Sequence, residues 1–164
     1  MQKKIAYGGL ATALCVIMIV GSAYLPTGKA ALLFMASFAV YLLTLCTDKK
    51  TAGVCYAASS IVIFLITSFT NPLVTVSFVL CFGNYPILKT LFEKCKLVLA
   101  IILKFLAYTV YFCAVYYSVT ILFDVVIPYA VFVLYLGGVV AFAFYDFLLS
   151  YTGKYAKERF FKSF

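Results

Sequence analysis

The chain has 164 residues, of which 66% are hydrophobic and only 11% are charged, and its mean hydropathy is +1.14. A soluble domain carries about 25% charged and 45–50% apolar residues, so composition excludes an ordinary soluble protein and makes a lipid bilayer the expected solvent. The net charge of +8 does not indicate nucleic-acid binding, because most cations lie between apolar segments, where they report membrane orientation.

Six apolar segments have about the 20-residue length that a helix needs to cross ~30 Å of hydrocarbon. The first begins after two lysines and is longer than a signal-peptide core, so we expect a retained helix. Few residues remain for loops, which predicts one all-α polytopic membrane domain over residues 1–164, packed as a compact bundle. The predicted transmembrane helices are 5–25, 30–47, 52–69, 72–92, 97–123 and 128–150.

The distribution of basic residues predicts the orientation. With six spans, eleven of the thirteen cations fall on one side, which the positive-inside rule places in the cytoplasm, so both termini are expected inside. Lys29 is the cation expected on the outer side. We also expect the tail from Tyr151 to Lys162 to lie on anionic headgroups. The eleven cations are Lys3, Lys4, Lys49, Lys50, Lys89, Lys94, Lys96, Lys154, Lys157, Arg159 and Lys162.

The fourth segment contains a break, Phe82–Pro86, around which we expect the other helices to pack. Gly83 is expected to loosen the helix, and the proline to free the carbonyl one turn earlier. In hydrocarbon such a group must find a partner in a neighbouring helix, a side chain or water. Lys89, a turn later, is expected to point to an aqueous edge. The residues that supply polarity and the kink are Asn84, Tyr85 and Pro86.

The first helix carries small residues four apart. The pairs Gly8/Thr12 and Gly9/Ala13 would let another helix approach closely, either within this bundle or in a partner protein. Packing within the bundle is the simpler interpretation. It is favoured by the same spacing at Gly53/Ala57 and Gly137/Ala141.

Polar residues on the predicted outer side are few. Lys29 is either a solvated loop lysine or the group that captures an anion. Asn71 and Asp124 are expected to cap helices, with contact to a solute as the alternative. Tyr24 suits the interfacial aromatic belt, and Thr27 adds a hydroxyl in the same loop.

Two charges fall inside predicted spans. Lys104 lies about two turns from the cytoplasmic edge of the fifth helix, and Asp146 about one turn from that of the sixth. A Lys104–Asp146 ion pair would offset the cost of both charges, and snorkelling of each to the interface is the alternative. Tyr108 and Tyr111 share the face of Lys104, which suggests a polar seam.

The sequence lacks the residue sets that chemistry would need. Without histidine there is no serine–histidine or cysteine–histidine nucleophile, and no phosphate-binding loop or paired carboxylates occur. The six cysteines form no CxxC motif, so we expect neither a metal nor a cofactor, and read them as packing residues. We therefore do not expect an enzyme, and energised transport would need a partner motor or an ion gradient.

The sequence resembles the substrate-binding S components of energy-coupling-factor (ECF) transporters, and uncharacterised six-helix membrane proteins of Firmicutes. The resemblance rests on six spans with both ends inside, and on the motifs Leu25–Gly28, Phe82–Lys89 and Tyr145-Asp146. It implies capture of a vitamin-like small molecule or a metal at the outer side of a bacterial plasma membrane. It also implies docking of a coupling subunit, served by cytoplasmic ATPases, on Gly9 and Ala13. The implied capture residues are Tyr24, Thr27, Lys29, Asn71 and Asp124.

A different class of protein competes with this interpretation. MreD-like cell-shape proteins have a similar size and act as membrane scaffolds rather than carriers. Their usual Pro-Asp and Gln-Asp signatures are missing from this chain. A non-transporting scaffold or assembly subunit remains the alternative prediction.

Overall fold

The computed structural model describes residues 2–25, 27–122 and 130–160. All regular structure in these residues is helical, and two helices continue into π turns, in which backbone amides bond five residues back. The elements are α1 (Gln2–Tyr24), α2 (Lys29–Cys46), α3 (Lys49–Thr67), α4 (Pro72–Ser77), π1 (Phe78–Phe82), α5 (Tyr85–Phe92), α6 (Leu97–Tyr117), π2 (Ser118–Leu122) and α7 (Val131–Phe160).

Six stretches within the described residues are long and apolar enough to cross a membrane, which confirms the predicted all-α polytopic class. Many of their large apolar side chains point outward, among them Ile5, Leu65, Leu97 and Val140. Such a surface matches a hydrocarbon solvent rather than water. The stretches are Ile5–Tyr24, Lys29–Cys46, Lys49–Thr67, Pro72–Phe92, Leu97–Ile121 and Val131–Ala156.

Two predicted boundaries were wrong. Lys49 and Lys50 belong to the first turn of α3 rather than to the loop before it, and Asp48 takes the N-cap position. The last helix does not end at residue 150 but continues to Phe160, so most of the predicted tail is a helical extension. Hydropathy missed both, because lysines at helix ends are polar yet are good helix formers.

The contact pattern divides the chain into two units, Met1–Val126 and Ile127–Phe164. In the first unit, α1 packs against α2 and α3, and α2 also contacts α5. Consecutive packed helices joined by loops of a few residues run antiparallel. The core of this unit consists of Cys15, Ile19, Leu33, Ala36, Ala39, Val40, Ile63, Val74 and Phe78.

A thiol joins two of these helices. The Cys15 thiol donates a hydrogen bond to the Ala36 carbonyl of α2, with 3.3 Å between sulfur and oxygen. Cys15 is therefore a packing residue, as predicted for the cysteines, and all six cysteines are free. The described part of the second unit is α7, in which Phe147 and Tyr151 stack one turn apart.

Candidate functional site

The break in the fourth span is a π turn between two short α-helices. The Gly83 amide donates to the Phe78 carbonyl, five residues back, at 2.9 Å. The turn follows α4 directly, and α5 begins two residues after it. The span Pro72–Phe92 has the largest buried share of the six, 44%, which confirms that other helices cover it. Single π turns inside helices often mark functional sites.

Tyr56 of α3 covers the break, and the sequence analysis missed it. Its hydroxyl donates to the Val79 carbonyl within π1. Its ring occupies the space beside Gly83, where an added Cβ would lie 2.5 Å from a ring carbon. Gly83 therefore leaves room for the ring, and the predicted loosening of the helix at this glycine stays a prediction. Tyr56, Ser59 and Ser60 are three hydroxyl residues within an apolar span, a signal that could have pointed to this role.

Pro86 lies at the start of a helix. It occupies the first turn of α5, where an amide has no partner within the helix, so its missing N–H costs little. The Asn84 carbonyl accepts from the amides of Ile87 and Leu88 at 3.1 and 3.2 Å. Tyr85 is fully buried, and Asn84 is half-buried. The predicted polarity at the break is present, and the freeing of the carbonyl near Phe82 by the proline stays a prediction.

Lys89 does not point to an aqueous edge, and this prediction was wrong. Its side chain is fully buried, and its Nζ lies 3.7 Å from Glu93 Oε1, one turn later. Glu93 is 43% exposed, so the ion pair links the buried Lys89 to the exposed C-terminal end of α5. The carboxylate four residues on gives the buried lysine an ion-pair partner that its position in the sequence does not reveal.

The predicted capture residues before α2 lie at the surface. Tyr24, the last residue of α1, is exposed, and so is Thr27 in the loop. Lys29 is half-buried and is the first residue of α2, after Gly28 in the left-handed conformation. These residues are accessible to a solute at this end of the first unit, and their role in capture stays a prediction.

Asn71 caps a helix, which was the preferred interpretation. Its side-chain oxygen accepts from the Val74 amide at 3.4 Å, and its carbonyl accepts from the Thr75 hydroxyl at 3.1 Å. The sequence analysis missed the buried contact beneath it, where the hydroxyl oxygens of Thr67 and Thr75 lie 2.7 Å apart. This contact ties the end of α3 to the start of α4. Asp124 lies outside the described residues.

The small residues of α1 divide into a packed face and an open face. Gly8 is buried, and an added Cβ would lie 2.9 Å from Cys55 Sγ of α3. Gly9 and Ala13 are exposed, and an added Cβ at Gly9 would meet nothing within 4 Å. An added Cβ at Gly53 would also meet nothing within 4 Å, so the predicted packing role holds for Gly8 and is wrong for Gly53. Gly137 lies in the second unit, and its packing role stays a prediction.

The predicted polar seam is only partly described. Lys104 is half-buried in α6, and Asp146 is half-buried in α7. The two residues belong to different units, so their ion pair stays a prediction. Tyr108 and Tyr111, on the predicted face of Lys104, are both buried.

No family model matches the chain, and neither does any curated protein or solved structure. The candidate site therefore rests on the residues themselves. Across the described ranges there is no group of three or more side chains able to hold a metal ion. The candidate site has three features. They are a buried break whose π turn is covered by Tyr56, the buried side chain of Lys89, and the exposed small residues Gly9 and Ala13 on α1.

Proposed function

We propose that this protein is a membrane-embedded substrate-binding subunit of a small-molecule uptake transporter in the bacterial plasma membrane, energised by partner subunits. The observation that carries the proposal is the division of α1 into two faces. Gly8 packs against α3 inside the unit, whereas Gly9 and Ala13 form an exposed strip of small residues. Without a competing side chain, a partner helix can approach this strip closely. The expected partner is a transmembrane coupling subunit served by cytoplasmic ATPases.

The capture site of this proposal is the end of the first unit where α1 meets α2. Lys29 lies there at a helix N-terminus, beside exposed Tyr24 and Thr27. A lysine at a helix N-terminus favours an anionic group, such as a carboxylate on a vitamin-like ligand. Asn71 contributes less than predicted, because its side-chain oxygen is engaged by its own helix. Asp124 stays part of the proposed site.

The proposal gives the protein no catalytic step. The chain has no histidine and no phosphate-binding loop, so ATP hydrolysis belongs to a partner. The alternative is a non-transporting, MreD-like scaffold, favoured by the engagement of Asn71 in a cap. A scaffold would use the same α1 strip to hold a partner without capturing a solute.

Copurification separates the two functions. We expect affinity-purified protein to bring down a membrane subunit with its ATPases, and a metabolite screen to find a ligand that raises its thermal midpoint. Gly9→Leu should release the partner but retain the ligand. Gly53→Leu is the matched control, because Gly53 also has open space, and it should retain both. A stable partner without any stabilising metabolite would contradict transport and support a scaffold.

The proposed orientation has its own test. Cys95, in the loop between α5 and α6, and Thr27, between α1 and α2, are both exposed. In intact cells a membrane-impermeant maleimide should label a Thr27→Cys variant but not Cys95, and lysis should expose both. Labelling of Cys95 from outside would overturn the proposal that both termini are cytoplasmic.

A further inference from the structure

A group of buried hydroxyls lies beside the π turn. We name it the hydroxyl cluster and define it as Tyr56, Ser60 and Tyr111. Ser60 and Tyr111 are each only 9% exposed. Neither of their hydroxyl oxygens has a hydrogen-bond partner within the described part of the chain. A buried hydroxyl without a partner is unfavourable, and more so where no bulk water can enter.

The members of the hydroxyl cluster come from two helices that meet the same turn. Both α3, which carries Tyr56 and Ser60, and α6, which carries Tyr111, contact π1. Ser60 lies one helical turn after Tyr56 in α3, and its Oγ meets the geometric limits of a hydrogen bond with no group in the described residues. Tyr111 lies within electrostatic reach of Tyr56 and of Cys81 in π1. The unpartnered groups are therefore neighbours of the tyrosine that covers the break.

We propose that the hydroxyl cluster binds one small uncharged polar molecule, with water as the ligand, bridging Ser60 and Tyr111 beside Tyr56. A buried water typically makes about three hydrogen bonds, and three hydroxyls can supply them. Each hydroxyl can donate and accept, which suits a ligand that does both. No member of the cluster is charged, so an ion would enter the membrane interior without a counter-charge.

This site gives the π turn a physical reason to persist. A bound water would join α3 and α6 across π1, adding to the bond from Tyr56 to the Val79 carbonyl. Insertion of water is a known cause of a break in a helical hydrogen-bond ladder. The inference does not depend on whether the protein transports a solute.

Removal of single oxygen atoms tests the site. We would measure thermal midpoints of the purified full chain for Ser60→Ala, Tyr111→Phe and the double variant. A shared water predicts that each single change lowers the midpoint by about 2–4 °C. The double variant should then lose clearly less than the sum, because either change already breaks the bridge. Unchanged or raised midpoints, or additive losses, would overturn the proposal.

Two matched variants control for the chemical change. Ser59 donates to the Tyr56 carbonyl within its own helix, so the effect of Ser59→Ala should add to that of Tyr111→Phe. Tyr117 is 59% exposed, and Tyr117→Phe should leave the midpoint unchanged. Coupling between Ser59 and Tyr111 as strong as that of Ser60 would show a general packing effect, contrary to a shared ligand.

The ligand itself is identified by two further measurements. Wild-type midpoints should be equal in sodium chloride and choline chloride, and a sodium-dependent rise that the double variant lacks would assign a cation instead of water. Infrared difference spectra between H₂¹⁸O and H₂¹⁶O should contain an O–H stretch of a bound water that Ser60→Ala removes. If the wild-type protein and Ser60→Ala gave identical difference spectra, the site would be contradicted. This result would stand even if Tyr111→Phe or the double variant failed to fold.

Discussion

Gly83 in the fourth span and Gly9 in α1 lie in helices that both pack inside the first unit, but their surroundings differ. Gly83 is buried, and the ring of Tyr56 fills the place of its missing side chain. Gly9 is exposed, with nothing within 4 Å of an added Cβ. The comparison separates two uses of glycine in a membrane helix. At Gly83 the missing side chain lets Tyr56 of the same chain pack closely, whereas at Gly9 no neighbouring atom occupies the space.

The two regions also differ in how their polar groups are bonded. Around the break, the Tyr56 hydroxyl donates a hydrogen bond to the Val79 carbonyl, and Lys89 is paired with Glu93. On α1, the exposed residues Gly9 and Ala13 have no polar side-chain group, and Thr12, on the face of Gly8, donates back to the Gly8 carbonyl at 2.9 Å. A buried region in hydrocarbon must satisfy its own polar groups, whereas an exposed pair of small apolar residues has none to satisfy. Substitutions in the two regions should therefore have different effects.

The largest effect is expected from Gly83→Ala. The new methyl group would overlap the Tyr56 ring, so either the π turn or α3 must move. We expect the free energy of unfolding to fall by about 3 kcal/mol, the upper end for overpacking. Reversible unfolding in SDS measures this change. Gly53→Ala is the control, because an added Cβ at Gly53 would meet nothing within 4 Å. Equal stability of the two variants would contradict the role of Gly83.

Tyr56→Phe should follow. It keeps the ring beside Gly83 but removes the donor to the Val79 carbonyl. We expect a loss of about 1–2 kcal/mol, because the carbonyl would lose its hydrogen-bond donor inside the unit. Tyr24→Phe is the matched control, since Tyr24 is exposed at the end of α1. If the two variants unfold at the same SDS fraction, the tyrosine covers the break by its ring alone.

Gly8→Ala and Gly9→Ala compare the two faces of α1 directly. The first places a methyl group 2.9 Å from Cys55 Sγ, and we expect it to destabilise by about 1 kcal/mol. The second should change stability by less than about 0.5 kcal/mol, the usual range for a surface substitution. Adding Cys55→Ala should rescue Gly8→Ala but not alter Gly9→Ala. Failure of that rescue would place the cost of Gly8→Ala elsewhere.

The smallest loss among the buried-region variants is expected for Asn71→Ala, at the start of the fourth span. Its cap bond to the Val74 amide is long, at 3.4 Å, so we expect about 0.5 kcal/mol, the low end for an N-cap. Asn71→Asp should retain full stability, because aspartate is an equally good cap. A change in ligand affinity without any change in stability would return Asn71 to the proposed capture site.

Much of the fold could be predicted from composition alone. The six spans follow from runs of apolar residues, and their predicted ends agree with the structure within a few residues except at the last helix. The break was also located correctly, because glycine, asparagine and proline are rare together in such a run. The predictions that were wrong concern the environment of individual residues. Lys89 was placed at an aqueous edge, since a single sequence does not reveal that Glu93 pairs with it.

The sequence by itself determined that the chain is an all-α membrane protein with a break in its fourth span, because length and hydropathy decide what can enter a bilayer. Only the tertiary structure decided that Tyr56 covers the break, that Lys89 is buried and that Gly8 packs while Gly9 does not. These outcomes depend on which side chains meet across helices distant in sequence. Apolar periodicity cannot encode such pairings when two thirds of the residues are hydrophobic and lie on every face of the helices.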